Sequence, residues 1–478
     1  MYTGLACKDS KMGTVPVQSK GDFKMKYQNL KQYLLKEIAT QSLKSGDKIP
    51  SIRKLADKFS YSKSTVVKSL DELEKEHVIY SVPQKGFFVT ANQTAEITKP
   101  EPIDFLTAGP DLSFFSFDNL AHCSNQIIAN HRKEILSYGD PQGTLELRQQ
   151  IQEYFKDNQV FCSADQIVIT SGAQQAINIL INMPFNNGRE NILVEQPTYS
   201  GIIQAAKLTN HQIIGIDISN DSIDLDKLEY IFKNNAIKFF YIMPRFQNPL
   251  GHTYTKKERD KIIELANKYD VYLIEDDFLG DLDLDKKRDP LFSADPSKRV
   301  IYLKSFSKVF LPSLRIAAVI VPDELKPSFL EYKSYLDSFT STISQEILTT
   351  FMENGMFKIH LKQIKKIYAE KMAELVRCGK KYLPDNVHLN NPQSGFYTSL
   401  LFPKGINSTI LTHRLEQKDI LVDDVSRMFL PYQKSRSIIR LSISQINFNQ
   451  IEPGVKLIAQ TISEYDPNLN PIFQNFHM

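Results

Sequence analysis

Four cysteines in 478 residues, Cys7, Cys123, Cys162 and Cys378, are too few and too scattered for a disulfide framework. No Cys-x-x-Cys pair occurs, so the thiols read as reduced and intracellular, and no metal site is expected. Long apolar runs are also missing. None reaches the length of a membrane span, and the N-terminus lacks the apolar core of a signal peptide. A cytoplasmic protein with no membrane partner is expected. Charge of one sign is scarce overall: 58 Lys and Arg face 55 Asp and Glu, a formal net of +3. Hydrophobic residues make up 42% and charged residues 24%, which excludes a disordered chain, and the length suits two to three domains.

The small net charge hides an uneven distribution. Residues 23–90 hold 13 Lys and Arg against 7 Asp and Glu, so the rest of the chain is net acidic. A basic module on an acidic body points to an anionic partner, with a solvated lysine-rich surface as the alternative. Residues 1–22 are polar and patternless and read as a disordered tail. From Lys26 to Leu43, Tyr27, Leu30, Leu34 and Ile38 recur at helical spacing. Pro50-Ser51 opens a second helix, with Ser51 as N-cap and Leu55, Ala56 and Phe59 inward. Ser62 or Ser64 caps a third, with Val66, Leu70, Leu73 and His77 on one face. His77 reads as a buried or capping residue rather than a ligand. Ile79–Val82 and Phe87–Val89 flank Pro83-Gln-Lys-Gly86 as a β-hairpin.

Three helices and a hairpin make a winged helix-turn-helix. Lys63, Ser64, Thr65 and Lys68 would stand at the polar start of the third helix, suited to phosphates and base edges. Arg53 lies early in the second helix, and Lys85 and Gly86 form the wing tip. A small structural helical domain is the alternative. The motifs Ile49-Pro-Ser-Ile-Arg53-Lys-Leu-Ala56, Ser62-Lys-Ser-Thr-Val66, Leu70-x-x-Leu73 and Gly86-Phe-Phe-Val89 resemble the GntR-type winged-helix family. That resemblance implies double-stranded promoter DNA as partner, met by Ser51, Arg53, Ser62, Lys63, Ser64, Thr65, Lys68, Lys85 and Gly86. Lys63 stands where the family has Arg, which keeps charge but gives up bidentate base reading. Glu76-His77 replaces the usual Gly before the wing.

Residues 91–102 are polar and Pro-containing and read as a linker. Beyond Ile103 strands and helices alternate. Candidate strands are Gln166–Thr170, Asn191–Val194, Gln212–Ile216, Lys238–Ile242, Val271–Ile274, Val300–Leu303 and Ile316–Val321. Leu145–Phe155 and Lys256–Tyr269 are among the helices. This predicts an α/β domain over 103–478 with a mostly parallel sheet, and Ser399–Phe402 and Ile438–Ser442 as strands of a small C-terminal subdomain.

The chemistry sits at strand ends, where such sheets bind ligands. Val300-Ile-Tyr-Leu runs into Lys304-Ser-Phe-Ser-Lys308, with Arg315 seven residues on. An amine beside hydroxyls and a cation is how pyridoxal phosphate (PLP) is held, the lysine forming a Schiff base. Ser171-Gly172-Ala173-Gln174 opens a helix after a strand and suits a phosphate. Asn248, in Pro244-Arg-Phe-Gln-Asn248-Pro-Leu-Gly251, suits a ring hydroxyl. Asp276, in Glu275-Asp-Asp277, suits a pyridine nitrogen or serves as a helix cap.

Together these segments resemble class I/II aminotransferases of fold type I, and with the head the chain resembles the MocR subfamily of regulators over roughly residues 23–460. The resemblance implies that Lys308 is the Schiff-base lysine, Asp276 pairs with the pyridine nitrogen and Asn248 contacts the ring oxygen. Tyr199 stacks on the ring. Ala173, Gln174, Ser305, Ser307 and Arg315 hold the phosphate. Tyr138, in Tyr138-Gly-Asp-Pro-Gln-Gly143, reaches the phosphate of a second subunit, so a homodimer is implied. Arg440 forks an effector carboxylate. Phe278 replaces the family's Tyr, Lys304 a Gly, and Ser394-Gly395 a Gly-Gly pair, departures that weigh against efficient transamination. The reading is a PLP-dependent transcription regulator sensing PLP or an amino compound. The alternatives are an active aminotransferase with a DNA-binding head, or a degenerate body used only for dimerisation.

Overall fold

The computed structural model describes residues 20–40, 42–44, 46–76, 78–82, 85–90, 102–115, 117–130, 132–219, 222–285, 288–432 and 436–465. The chain divides into two compact units between Glu101 and Pro102. Residues 1–19, the linker residues 91–101 and His77 lie outside the described set.

In the head, α1 (Lys20–Ala39) starts inside the stretch expected as a tail. α2 (Ile52–Phe59) and α3 (Lys63–Lys75) follow, then the antiparallel pair β1 (Ile79–Val82) and β2 (Gly86–Val89). Leu30, Leu34, Leu55, Val66, Leu70, Leu73, Ile79 and Val89 form one apolar core. Each such side chain contributes about 1.5–3 kcal/mol when fully buried. Sequence periodicity did not reveal a third pairing. Gly46 N–H donates to Val89 O at 2.9 Å and Ile49 N–H to Phe87 O at 2.8 Å, which ties the loop before α2 to the wing.

In the body, one sheet runs in the order β4 (Ile167–Thr170), β11 (Ala317–Ile320), β10 (Val300–Ser305), β9 (Tyr272–Asp276), β8 (Ile237–Ile242), β5 (Asn191–Gln196), β6 (Ile213–Ser219), β7 (Ser222–Ile223). β10, β9, β8, β5 and β6 are parallel. β11 runs antiparallel to both its neighbours. β4, β5, β8 and β9 are buried along nearly their whole length, as continuous apolar runs require when helices cover both faces. Between β2 and β4 lie β3 (Ile103–Asp104), α4 (Phe117–Asn130), α5 (Arg132–Ile135) and α6 (Leu145–Asp157). α7 (Ala173–Asn182) follows β4, and buried Lys238 donates from Nζ to Ile181 O and Met183 O at its C-terminal end.

The small C-terminal part is a three-stranded antiparallel sheet of β12 (His388–Leu389), β13 (Tyr397–Leu401) and β15 (Ile438–Ser442). It carries the helices Met356–Tyr382 and Phe448–Ser463, while β14 (Ile420–Leu421) pairs with β3. The parallel arrangement brings the C-terminal ends of β5, β8, β9 and β10 to one edge, and with them Tyr199, Asn248, Asp276 and Ser305–Lys308.

Candidate functional site

The edge collects the expected body residues other than Tyr138. At its floor lies a buried charge layer. Asp276 is 5% exposed; its Oδ2 accepts from Tyr241 Oη at 2.5 Å, and its Oδ1 is buried with no hydrogen-bond partner among the described residues. Burial pushes its carboxyl up to about 7, against the hydrogen bond from Tyr241, while Asp277 adds to the rise and Lys304 and Lys308 oppose it. Asp277 goes the other way: burial opposes its charge, but Arg245 and Lys304 outweigh that and hold it below the usual carboxylate range. Arg245 Nε donates to Asp277 Oδ1 at 3.1 Å, Arg245 Nη2 reaches Oδ2, and Tyr302 Oη donates to Oδ2 at 2.5 Å.

Lys304, read from sequence only as a departure from Gly, is a member of this layer. It is 1% exposed, with Nζ 2.6 Å from Asp281 Oδ2 and donating to Asp277 O at 3.0 Å. Asp281 also accepts from Tyr154 Oη. Sequence reasoning missed Tyr241, Arg245, Asp281 and Tyr154. The available signal was a lysine inside an apolar strand buried on both faces, which demands a counter-ion.

Above the floor, Lys308 Nζ donates to Ala108 O at 2.7 Å. The segment carrying Ala108 is fixed by Ser444 Oγ to Thr107 O at 2.8 Å, Gln445 Nε2 to Pro110 O at 2.7 Å, and Asp111 N–H to Tyr368 Oη at 3.1 Å. Arg315 Nη1 donates to Ser307 Oγ at 3.2 Å, and Ser307 N–H to Ser305 Oγ at 3.3 Å. Gly172 caps α7 at φ +86, and a Cβ there would stand 2.4 Å from Arg315 Nη2. Only glycine therefore lets the helix start, with its free amides at Ala173 and Gln174, lie against the guanidinium. Tyr199 Oη donates to Gln174 Oε1 at 3.2 Å. Asn248 Oδ1 accepts from Arg440 Nη1 at 2.9 Å. Phe278 is buried, its ring 6.2 Å from that of Tyr397. Tyr138 is not in this group: it is 93% exposed and meets Phe339 edge-on.

In the head, Ser51 and Ser62 accept from Lys54 N–H and Thr65 N–H and cap α2 and α3. Arg53, Lys63, Ser64, Lys68, Lys85 and Gly86 are exposed, and Gly86 turns the wing at φ +99. The expectation for Thr65 is corrected. It is 2% exposed, its Oγ1 lies 2.7 Å from Ser62 Oγ, and it packs inward one turn before Ser69. Its hydroxyl belongs to the cap and does not face a groove.

The family of aminotransferases of class I and II matches residues 106–458, and the bacterial regulatory proteins of the gntR family match residues 26–89. The chain is 36% identical over 438 residues to the uncharacterized HTH-type transcriptional regulator YcxD of Bacillus subtilis (strain 168), covering 91% of this chain and 99% of the relative. It is 23% identical over 433 residues to the probable rhizopine catabolism regulatory protein MocR of Rhizobium meliloti, covering 84% and 87%. Among solved structures, the kynurenine aminotransferase of Pyrococcus horikoshii in complex with PMP superposes with a TM-score of 0.71 at 25% identity, over 77% of this chain and 92% of that one.

Proposed function

The chain belongs to the aminotransferase class I and II family and carries a gntR-family head, the architecture of the MocR subfamily, and from that premise we propose that it is a DNA-binding transcription regulator whose body holds PLP and senses an amino compound. One observation carries the reading. A chain with an exposed cationic helix start in its head keeps, in its body, the lysine, the buried carboxylate and the hydroxyl and arginine cradle together at one sheet edge.

Two features fit the cofactor. The Oδ1 of Asp276 is a buried acceptor with no hydrogen-bond partner among the described residues, and Gly172, where a Cβ would collide with Arg315, lets the guanidinium stand against the start of α7. When bound, PLP supplies an electrophilic aldehyde for a primary amine and an electron-withdrawing ring. Lys308 presents the amine, fixed by Ala108 O. Asp276 would accept a hydrogen bond from a protonated pyridine nitrogen, and that cation at Oδ1 would draw its carboxyl back to the charged form. Tyr199 and Asn248 orient the ring and its oxygen. Ala173, Gln174, Ser305, Ser307 and Arg315 neutralise the phosphate. Arg440 stands beside Asn248 as the cation nearest an effector's acidic group.

In the head, Arg53, Lys63, Ser64, Lys68, Lys85 and Gly86 meet DNA, with Ser51 and Ser62 capping the helices that present them. Exposed Leu136, Tyr138 and Tyr335 belong to a homodimer interface through which Tyr138 reaches the second subunit's phosphate site. No helix among the described residues is long and apolar enough to cross a membrane, and a DNA partner supports a cytoplasmic location.

The test is covalent. Full-length protein incubated with PLP and reduced with borohydride gains one phosphopyridoxyl group on the peptide containing Lys308, and Lys308→Ala gains none. An unmodified wild-type chain under excess PLP overturns the reading.

A further inference from the structure

The turn that opens the phosphate cradle is held from behind by a buried ion pair. Gly172 takes φ +86 and has no side chain to fix it, so the direction of the Ala173 and Gln174 amides depends on its neighbours. Ser171, the residue before it, is tied down twice. Its Oγ donates to Asp337 Oδ2 at 2.7 Å, and its N–H donates to Gln175 Oε1 at 2.7 Å. Gln175, in the first turn of α7, also hydrogen-bonds to Asp337 through its side chain.

Asp337 ends the helix Lys326–Asp337, and one turn back Lys333 donates from Nζ to its Oδ1 at 2.8 Å. The Lys333 side chain is 0% exposed and that of Asp337 20%. Beyond Asp337 the chain is fastened beside the same turn, where Thr340 Oγ1 donates to Ile169 O at 3.2 Å. Burial opposes ionisation of Asp337, but the hydrogen bonds from Lys333, Gln175 and Ser171 outweigh it and hold the carboxyl below its usual range. Neither Lys333 nor Asp337 belongs to the set assigned to the phosphate; they stand one step behind it. A network whose members are all paired is stiff, and presetting the amides lowers the cost of ordering them when a ligand binds. A lone carboxylate behind a phosphate site would repel the ligand, and the ammonium of Lys333 offsets that charge.

We propose that Asp337 is a positioning residue for the cofactor phosphate: through Ser171 and Gln175 it fixes the turn that presents the Ala173 and Gln174 amides, while Lys333 balances its charge. This rests on the PLP-holding reading above and adds the residues that preset the cradle.

The experiment compares PLP with pyridoxal, which differ only by the phosphate. Full-length protein stripped of PLP is titrated with each as wild type, Ser171→Ala, Asp337→Ala and the double variant, and binding is followed by the visible band. A loosened fold weakens both compounds alike, whereas a loosened cradle weakens PLP alone. One charge-assisted hydrogen bond corresponds to roughly tenfold in affinity or more. Each single variant is therefore expected to weaken PLP by about tenfold and pyridoxal by less than about twofold. Because Asp337 acts on the turn through Ser171, the double variant should match Asp337→Ala within about twofold. An unchanged preference for PLP over pyridoxal in Ser171→Ala overturns the proposal, as do losses that multiply in the double variant. Ser171→Ala leaves the Lys333–Asp337 pair intact, so it decides even where Asp337→Ala does not fold. Where pyridoxal binds wild type too weakly to titrate, inorganic phosphate is the probe: Ser171→Ala should raise its inhibition constant against PLP by about tenfold, and an unchanged constant overturns the proposal. Wild type that takes up neither PLP nor pyridoxal overturns the PLP-holding reading and this inference with it.

Discussion

Replacing Lys304 with methionine removes one half of an ion pair that has almost no access to solvent. Both side chains of the Lys304–Asp281 pair are 2% exposed, and Nζ stands 2.6 Å from Oδ2. Methionine conserves volume, so packing changes little. The cost is electrostatic. Asp281 keeps the Tyr154 hydroxyl but loses its cation, and the carbonyl of Asp277 loses a donor. Breaking a buried pair on one side costs about 3–5 kcal/mol. Asp281→Asn alone strands the lysine instead and should cost a similar amount. In Lys304→Met with Asp281→Asn both charges are gone while Tyr154 keeps an acceptor, so the double variant should recover most of the loss and keep only the cost of the donor missing at Asp277 O, about 1–3 kcal/mol. The coupling free energy from a urea-unfolding cycle should then be several times a surface pair's value of about 0.2–1 kcal/mol. A single-variant loss below about 1 kcal/mol, or simple additivity of the two losses, refutes the reasoning. The same substitution bears on the site. The charge of Lys304 helps hold the Asp276 carboxyl down, so its removal should raise that carboxyl further and weaken PLP binding.

Three further outcomes follow from the same geometry. Arg53→Ala and Lys63→Ala should each weaken DNA binding, and each lost phosphate contact should flatten the log–log salt slope by roughly one unit, read by fluorescence anisotropy across a salt series; full affinity in the double variant counts against the groove assignment. Phe278→Tyr adds a hydroxyl donor in a buried position, so the midpoint of the pH titration of the PLP visible band should fall by about one unit or more, and identical midpoints would show that residue 278 does not tune the cofactor. Burial pushes Glu195 up to about 8 from an ordinary 4.5, despite hydrogen bonds from Tyr254 and Met243. The unfolded chain then binds fewer protons than the fold between those values, so this group's contribution to stability is intact below about pH 4.5 and is lost as pH rises through about 8. Glu195→Gln should remove that slope, at most about 1.4 kcal/mol per pH unit, from denaturation midpoints measured across the window; an unchanged slope would show that Glu195 is charged in the fold.

Seven of the sheet's eight strands were legible because each is a short, largely apolar run closed by turn residues; β7, two residues long, was not. Their order was not. That β11 enters the sheet antiparallel between β4 and β10 depends on connections that periodicity does not encode. In the head, spacing found Val66, Leu70 and Leu73 but not the flank of the same stripe. Thr65 and Ser69 lie one turn apart on it, and both are buried. At the site, the residues that approach a ligand sit in local motifs and were found. Those that hold the charges in place were not: Tyr241 meets Asp276 across 35 residues, Lys304 meets Asp281 across a stretch that includes the short helix Leu291–Ala294, and Asp423 meets Arg440 through a β-bridge. A buried tyrosine hydroxyl or lysine announces that it needs a partner without saying where in the chain the partner lies.

The most direct measurement of the central claim is selection of fragments from sheared genomic DNA by purified full-length protein, with PLP bound, with PLP removed, and as Lys308→Ala. A regulator whose body senses the cofactor recovers a small set of fragments sharing a sequence motif, and its occupancy of them changes when PLP is removed and in Lys308→Ala. Recovery without sequence preference, or the same fragments at the same occupancy in all three preparations, contradicts the account.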